Sequence, residues 1–317
     1  MLNSRRIFVD AVKKYCARHG IAIELRSEGW LIVMHRGPRR HFAFGYDIGL
    51  NSAIAHRIAN DKAATAEVLE ISGIACIPHA LFLNPRLNEF VAARGSWEAM
   101  LRLLERHPSG IVVKPNEGTT GKSVYMVSTK PALELAVNRV FASNASVSIS
   151  PYVNIEREVR VVLLDHLPVV VYDKDRPSVT GDGKRSLLEL ALAATPVEQR
   201  SAVLPGMVGD LDRTDLDAIL PLGQRRVLNW RHNLDSGARP VLLEQGEIRD
   251  ACVRIAIEAA KAIDIRFGSI DVVQVDGGLQ ILEINSGVMM ESLNRFHPDL
   301  VDDAYSAALD KVFHEAR

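Results

Sequence analysis

FGSIDVVQVDGGLQILEIN, residues 267–285, decides how this chain is read. Two β-type runs flank an Asp276-Gly277-Gly278 turn signal, and each run carries oxygen-bearing side chains where apolar ones are the norm. With a three-residue loop, Val275 pairs with Leu279 and Asp271 falls opposite Glu283. Directly opposed residues share one face of a sheet. Positions two apart on a strand do so as well, which adds Asn285. Ile270, Val272, Leu282 and Ile284 are then expected on the buried face. Two carboxylates and an amide oxygen are hard donors, a set that suits Mg²⁺ with waters and phosphate oxygens completing the shell. A two-residue turn would instead put Asp271 and Glu283 on opposite faces. The competing reading is an ordinary amphipathic hairpin with a solvated acidic side.

Composition sets the bounds. At 317 residues the chain can bury a large core in two or three lobes. A hydrophobic fraction of 47% is that of a globular protein, and a net charge of −1 gives no long-range pull toward nucleic acid or membrane. Three widely spaced cysteines, Cys16, Cys76 and Cys252, form no disulfide or zinc pattern, so the expected compartment is the cytoplasm. Ten histidines are scattered without a metal-type spacing. The N-terminus lacks the apolar core of a signal peptide, and no run approaches a membrane span.

Along the chain, a helix burying Phe8, Val12 and Tyr15 precedes three short β-runs, at 21–25, 30–34 and 41–44. This is a small lobe, too short for a dinucleotide-binding unit. Asp61 is a good cap for a helix running to about Ser72, with Lys62 in its first turn. The apolar strand Ile111–Pro115 carries one cation, Lys114, and leads into NEGTTGKS, residues 116–123. A P-loop needs Gly where Asn116 stands and a helix starting at Lys122-Ser123. The next residues form a β-run, Val124–Val127, so strand–loop–strand is expected: a Gly-rich flap offering backbone N–H groups to phosphate. Downstream, 205–217 reads as polar, acidic and mobile. Helices are expected over 248–262 and 299–313.

These features together resemble the ATP-grasp superfamily of carboxylate–amine ligases. Lys114 with the flap is similar to that family's phosphate-binding strand and loop. Asp61-Lys62 is similar to its helix-opening pair, and Asp271, Glu283 and Asn285 match its acidic–acidic–amide metal set. The resemblance covers most of residues 52–295. Gly181-Asp182-Gly183-Lys184 and Asn233-Leu234-Asp235-Ser236-Gly237 look like segments of cyanophycin synthetase and bifunctional glutathione synthetase. Two departures stand out. Asn229 occupies a position where an arginine is expected, with Arg231 as a shifted substitute. Ser286-Gly287-Val288-Met289 replaces the usual Pro-Gly after the metal-binding asparagine.

The resemblance implies an α+β fold, with two ATP-grasp lobes clamping ATP, preceded by a short, truncated N-terminal lobe. The expected divisions are 1–60, 61–150 and 151–317. Adenine is expected at Ser150, Tyr152 and Val153, with Glu158 on the ribose. Phosphates fall to Lys62, Lys114 and the flap: Gly118, Thr119, Thr120, Gly121, Lys122 and Ser123. One or two Mg²⁺ ions, with Mn²⁺ as an alternative, are expected on Asp271, Glu283 and Asn285. Catalytic candidates are Arg160, Lys174, Arg231 and Asn233. Arg160 lies two residues after Glu158, where it can meet substrate carboxylate, developing phosphate charge or a cross-strand acid. The implied reaction is ATP-dependent amide or peptide bond formation on an amino acid or small peptide, through an acyl phosphate. A lactam-forming variant, a kinase and a binding-only relative are the alternatives. A homodimer is compatible with all of them; no nucleic-acid or membrane partner is expected.

Overall fold

A computed structural model describes residues 6–85, 96–118, 123–197 and 200–314. The chain divides into two compact units: residues 1–156, 160–171 and 244–317 form one, and 157–159 with 172–243 form the other.

The larger unit opens with α1 (Ile7–Arg18), which buries Phe8, Val9, Val12 and Tyr15 on one face. Strands β1 (Ala22–Arg26), β2 (Leu31–Arg36) and β3 (Arg39–Phe44) make an antiparallel meander. Helix α2 (Ala53–Asn60) is capped by Ser52. It runs into α3 (Lys62–Ile71), capped by Asp61, whose carboxylate accepts the Ala64 N–H at 2.8 Å. Next come β4 (Ala80–Leu83), α4 (Ser96–Arg106), β5 (Ile111–Pro115), β6 (Tyr125–Val127), α5 (Lys130–Phe141) and β7 (Ser146–Pro151). The sheet order β4-β7-β5-β6 packs one face on α4 and α5, through Ile111, Val113, Val147, Ile149, Leu133 and Val140. Its other face carries Lys114, Ser148 and Ser150, all buried. Two long strands follow, β8 (Arg157–Leu164) and β9 (Leu167–Asp175), and both pass from one unit into the other.

The smaller unit contains β10 (Ser178–Thr180), α6 (Leu187–Ala194), α7 (Arg200–Val208), α8 (Arg213–Asp217), β11 (Arg225–Val227) and β12 (Arg239–Leu242). Helix α6 starts at a capping box between Ser186 and Glu189. The segment expected to be mobile, 205–217, is instead partly helical. The reason lies just before the acidic residues: Val203 and Met207 join Leu187, Leu190, Leu220 and Leu228 in a local core. Gly181 is required here, because a Cβ would sit 2.2 Å from the Pro221 carbonyl oxygen.

Back in the larger unit, α9 (Glu247–Ile263), β13 (Phe267–Val275), β14 (Gly278–Asn285), α10 (Glu291–Asn294) and α11 (Pro298–His314) complete the chain. Here the sheet runs β9-β8-β13-β14, and α9 packs on β13 and β14.

Candidate active site

The β13–β14 register puts Asp271 opposite Glu283 and Ser269 opposite Asn285. The expected pairing is present, but by a different route. The loop has two residues, Asp276 and Gly277, both with positive φ (+49° and +74°), and Val275 pairs with Gly278. That is the Asp-Gly hairpin preference. Taken alone, it would split Asp271 from Glu283. A β-bulge between Val272 and Asp271 corrects it: Val272 pairs with Ile281, Asp271 pairs with Glu283, and Leu282 is the extra residue. Leu282 therefore leaves the face on which it was expected. Ile281 takes that place beside Ile270, Val272 and Ile284, all buried, while Leu282 packs against Val273, Val275 and Ile77.

Asp271 is 1% exposed, and Glu283 and Asn285 are partly exposed. The Asn285 amide donates to Glu283 Oε1 at 3.3 Å. Arg160 on β8 donates to both oxygens of Asp271, from Nε at 2.7 Å and from a terminal nitrogen at 2.6 Å. A bidentate pair of this kind is among the strongest hydrogen-bonded ion pairs. Of the roles open to Arg160, the structure shows the cross-strand acid. Glu283 across the strand pair and Asn285 beside it bring further oxygen donors to Asp271, so the set fits a hard divalent cation.

Lys62 lies at the start of α3 and donates from Nζ to the Gly118 carbonyl at 2.8 Å. This brings it against the beginning of the flap. Lys114 sits buried in β5, opposite Ser148. Strand β6 returns antiparallel to β5, and Ser123 lies in a turn with φ +57°, so no helix starts at Ser123 and the P-loop reading is excluded. Thr119, Thr120, Gly121 and Lys122 lie outside the described residues. Ser150 is buried in β7, the Tyr152 N–H donates to the Gly110 carbonyl at 3.0 Å, and Val153 packs on Ile77 and Val273.

In the smaller unit, Glu158 and Lys174 form a buried ion pair at 2.5 Å, with side chains 8% and 6% exposed. His232 is also buried, its Nδ1 2.8 Å from the Lys174 carbonyl oxygen. Arg231 meets Asp210 at 2.5 Å and lies over the Trp230 ring. Asn229, at the position of the expected arginine, is buried and bonds the Gly206 carbonyl and the Arg231 N–H. Asn233 accepts the Asp235 N–H at 2.8 Å and starts a turn closed by left-handed Gly237 (φ +95°). Arg231 and Asn233 are thus engaged in local structure.

Two residues that sequence reasoning passed over flank Lys62 and Lys114. Asn116 is 1% exposed; its side-chain oxygen accepts the Ala63 N–H at 3.1 Å, and its Nδ2 has no partner among the described residues. His79 is buried, with Nδ1 3.0 Å from the Ser148 hydroxyl, and Nε2 lacks a well-aligned partner. The Leu282 backbone also lies within hydrogen-bonding reach of that ring. Burial first, then the charge of Lys114, holds the His79 pKa well below the ordinary imidazole value, so the ring is neutral. The stretch leading to His79 is bonded to β14 at its bulge: Ile281 donates to the Ala75 carbonyl at 2.8 Å and accepts from the Ile77 N–H at 2.9 Å. After His79 the chain enters β4 and pairs with β7. One extended segment thus ties the acidic hairpin to the lysine-bearing sheet. Only Pro78-His79 ahead of an apolar run hinted at this.

A family model described as a RimK-like ATP-grasp domain matches residues 222–301. Cyanophycin synthetase from Trichormus variabilis is 23% identical over 299 residues, covering 89% of this chain and 31% of that protein. The chain thus spans about a third of the length of the curated relatives it matches. A tetrahydromethanopterin:α-L-glutamate ligase from Methanocaldococcus jannaschii is 31% identical over 58 residues, 18% of this chain and 19% of that one. A bifunctional glutathione synthetase from Pasteurella multocida superposes with a TM-score of 0.54 at 17% identity, covering 95% of this chain and 44% of that one. A D-alanine–D-alanine ligase from Bacillus anthracis gives 0.54 at 16% identity, over 83% and 69%. The fold is α+β of the ATP-grasp type.

Proposed function

We propose that this chain is an ATP-dependent carboxylate–amine ligase. The observation that carries the reading is the cross-strand pairing of Asp271 with Glu283, with Asn285 in contact with Glu283. In this reading residues 61–150 and 151–317 are the nucleotide-holding lobes, after a short lobe at 1–60. Asp271, Glu283 and Asn285 hold Mg²⁺, which when bound offsets the charge of the terminal phosphates.

Lys62 and Lys114 bind the phosphates, and the flap from Gly118 to Ser123 covers them with backbone N–H groups. The unpartnered Asn116 amide is placed, next to Lys62, to donate to a phosphate oxygen. Ser150, Tyr152 and Val153 face the base, and Glu158 the ribose. A substrate carboxylate oxygen attacks the γ-phosphorus, and ADP leaves. The amine then attacks the acyl carbon, loses a proton and expels phosphate. Activation is needed because a carboxylate is a poor electrophile. Flap closure excludes the water that would hydrolyse the acyl phosphate. Lys174, Arg231 and Asn233 serve the reaction by turning from their present partners toward substrate. The substrates are an amino acid or small peptide and an amine; an amine within the same molecule would give a lactam.

The test is incubation with Mg-ATP and a panel of amino acids and peptides, with hydroxylamine added. ADP, phosphate and a hydroxamate are expected. AMP with pyrophosphate, or a phosphoester without hydroxamate, rules the proposal out.

A further inference from the structure

Ten histidines without metal spacing in sequence acquire one in space. His19, Asp310 and His314 each offer a ligand atom, and these atoms lie within 4.8 Å of one another. We propose that they form a second metal site, for a divalent first-row transition ion such as Zn²⁺. It is independent of the ligase reading and of the acidic hairpin.

The three ligands sit on firm supports. Asp310 and His314 are four apart on α11, so they share one helix face. His314 Nε2 is already 3.8 Å from Asp310 Oδ1. His19 caps the C-terminus of α1, and its ring stacks on Tyr15 with centroids 4.2 Å apart. The two imidazole centroids are 5.9 Å apart. Ligands of a tetrahedral zinc ion are roughly 3.4 Å apart, given bonds of about 2.0–2.1 Å. Small rotamer changes of exposed side chains close the remaining gap.

A supporting group is in place as well. Tyr15, fully buried, donates its hydroxyl to Asp310 Oδ1 at 2.8 Å. Ligating carboxylates are characteristically fixed by such outer hydrogen bonds. The C-terminal end of α1 and the last turn of α11 also meet here, and the negative ends of two helix dipoles favour a cation. Nearby charges are Arg36 on β2, which donates to the Phe313 carbonyl at 3.0 Å, Lys14 paired with Asp302, Arg18 beside Ser306, and Lys311 paired with Asp165. Arg36 opposes the bound cation and the others are engaged. Two nitrogens and one oxygen select a transition ion over Mg²⁺.

The experiment is calorimetric titration of Zn²⁺ into chelator-treated, tag-free protein, with the melting temperature followed in parallel. One saturable equivalent and a raised melting temperature are expected, weakening on acidification because an imidazole must be neutral to ligate. His314→Ala and Asp310→Asn should each remove the event. Tyr15→Phe should weaken it by about 10–100-fold. Glu283→Gln, which removes a donor from the acidic hairpin, should leave it unchanged. No saturable binding to the wild-type protein, or equal binding by His314→Ala, overturns the proposal.

Discussion

Two buried ion pairs, Arg160–Asp271 and Lys174–Glu158, look alike and differ in their surroundings. Each joins a cation and an acid that were expected to meet ligands. Asp271 is 1% exposed and Arg160 18%; Lys174 and Glu158 are 6% and 8%. Asp271, however, has a second carboxylate directly across the strand pair and an amide beside that carboxylate. The Lys174–Glu158 pair instead has a histidine bonded to the lysine backbone. An acid with further oxygen donors around it can exchange its guanidinium for a metal ion. Glu158, paired with Lys174, is already neutralised locally.

Removing one partner of a buried pair strands the other charge, at about 3–5 kcal/mol. Arg160→Ala and Lys174→Ala should therefore both destabilise the protein by about that much in metal-free buffer, as read by urea unfolding. Millimolar Mg²⁺ should recover part of the loss in Arg160→Ala and none in Lys174→Ala. Equal recovery in both, or in neither, erases the distinction between the pairs. Next in size, Glu283→Ala should slow ADP release by on the order of 10²–10³, about 3–4 kcal/mol in the barrier. Its thermal unfolding should remain cooperative.

The smallest expected effect concerns the segment joining the hairpin to the lysine sheet. The His79 pKa is lowered in the folded protein, so below the unfolded imidazole value of about 6.5 the unfolded chain binds the extra proton. Its stabilising contribution is complete above that pH and falls as pH drops, by at most about 1.4 kcal/mol per pH unit. His79→Gln should flatten that part of the stability–pH curve. An unchanged slope would show that another group titrates there.

What was legible in the sequence follows from the range of the forces involved. The facing of Asp271 and Glu283 was readable because acids interrupt an otherwise apolar alternation, and alternation is a local property. Its cause was not readable: the bulge at Leu282 packs against Ile77 and is bonded through Ile281 to Ala75 and Ile77, contacts about 200 residues apart in the chain. The return of β6 against β5 was readable because Tyr125–Val127 cannot open a P-loop helix. The helices α7 and α8 were missed because polarity outweighed two apolar residues, Val203 and Met207, whose partners lie elsewhere in the sequence. Arg231 and Asn233 show the same limit. Their types suggested chemistry, while Asp210 and the Asp235 N–H, invisible to spacing arguments, hold them.

The most direct test of the central claim is electron paramagnetic resonance of Mn²⁺ titrated with ATP into the wild-type protein and Glu283→Gln. Wild type should hold Mn²⁺–ATP with a protein-bound spectrum, and Glu283→Gln should lose that signal while remaining folded. Identical spectra and occupancy in the two proteins would contradict the assignment of Asp271, Glu283 and Asn285 as the cation's ligands.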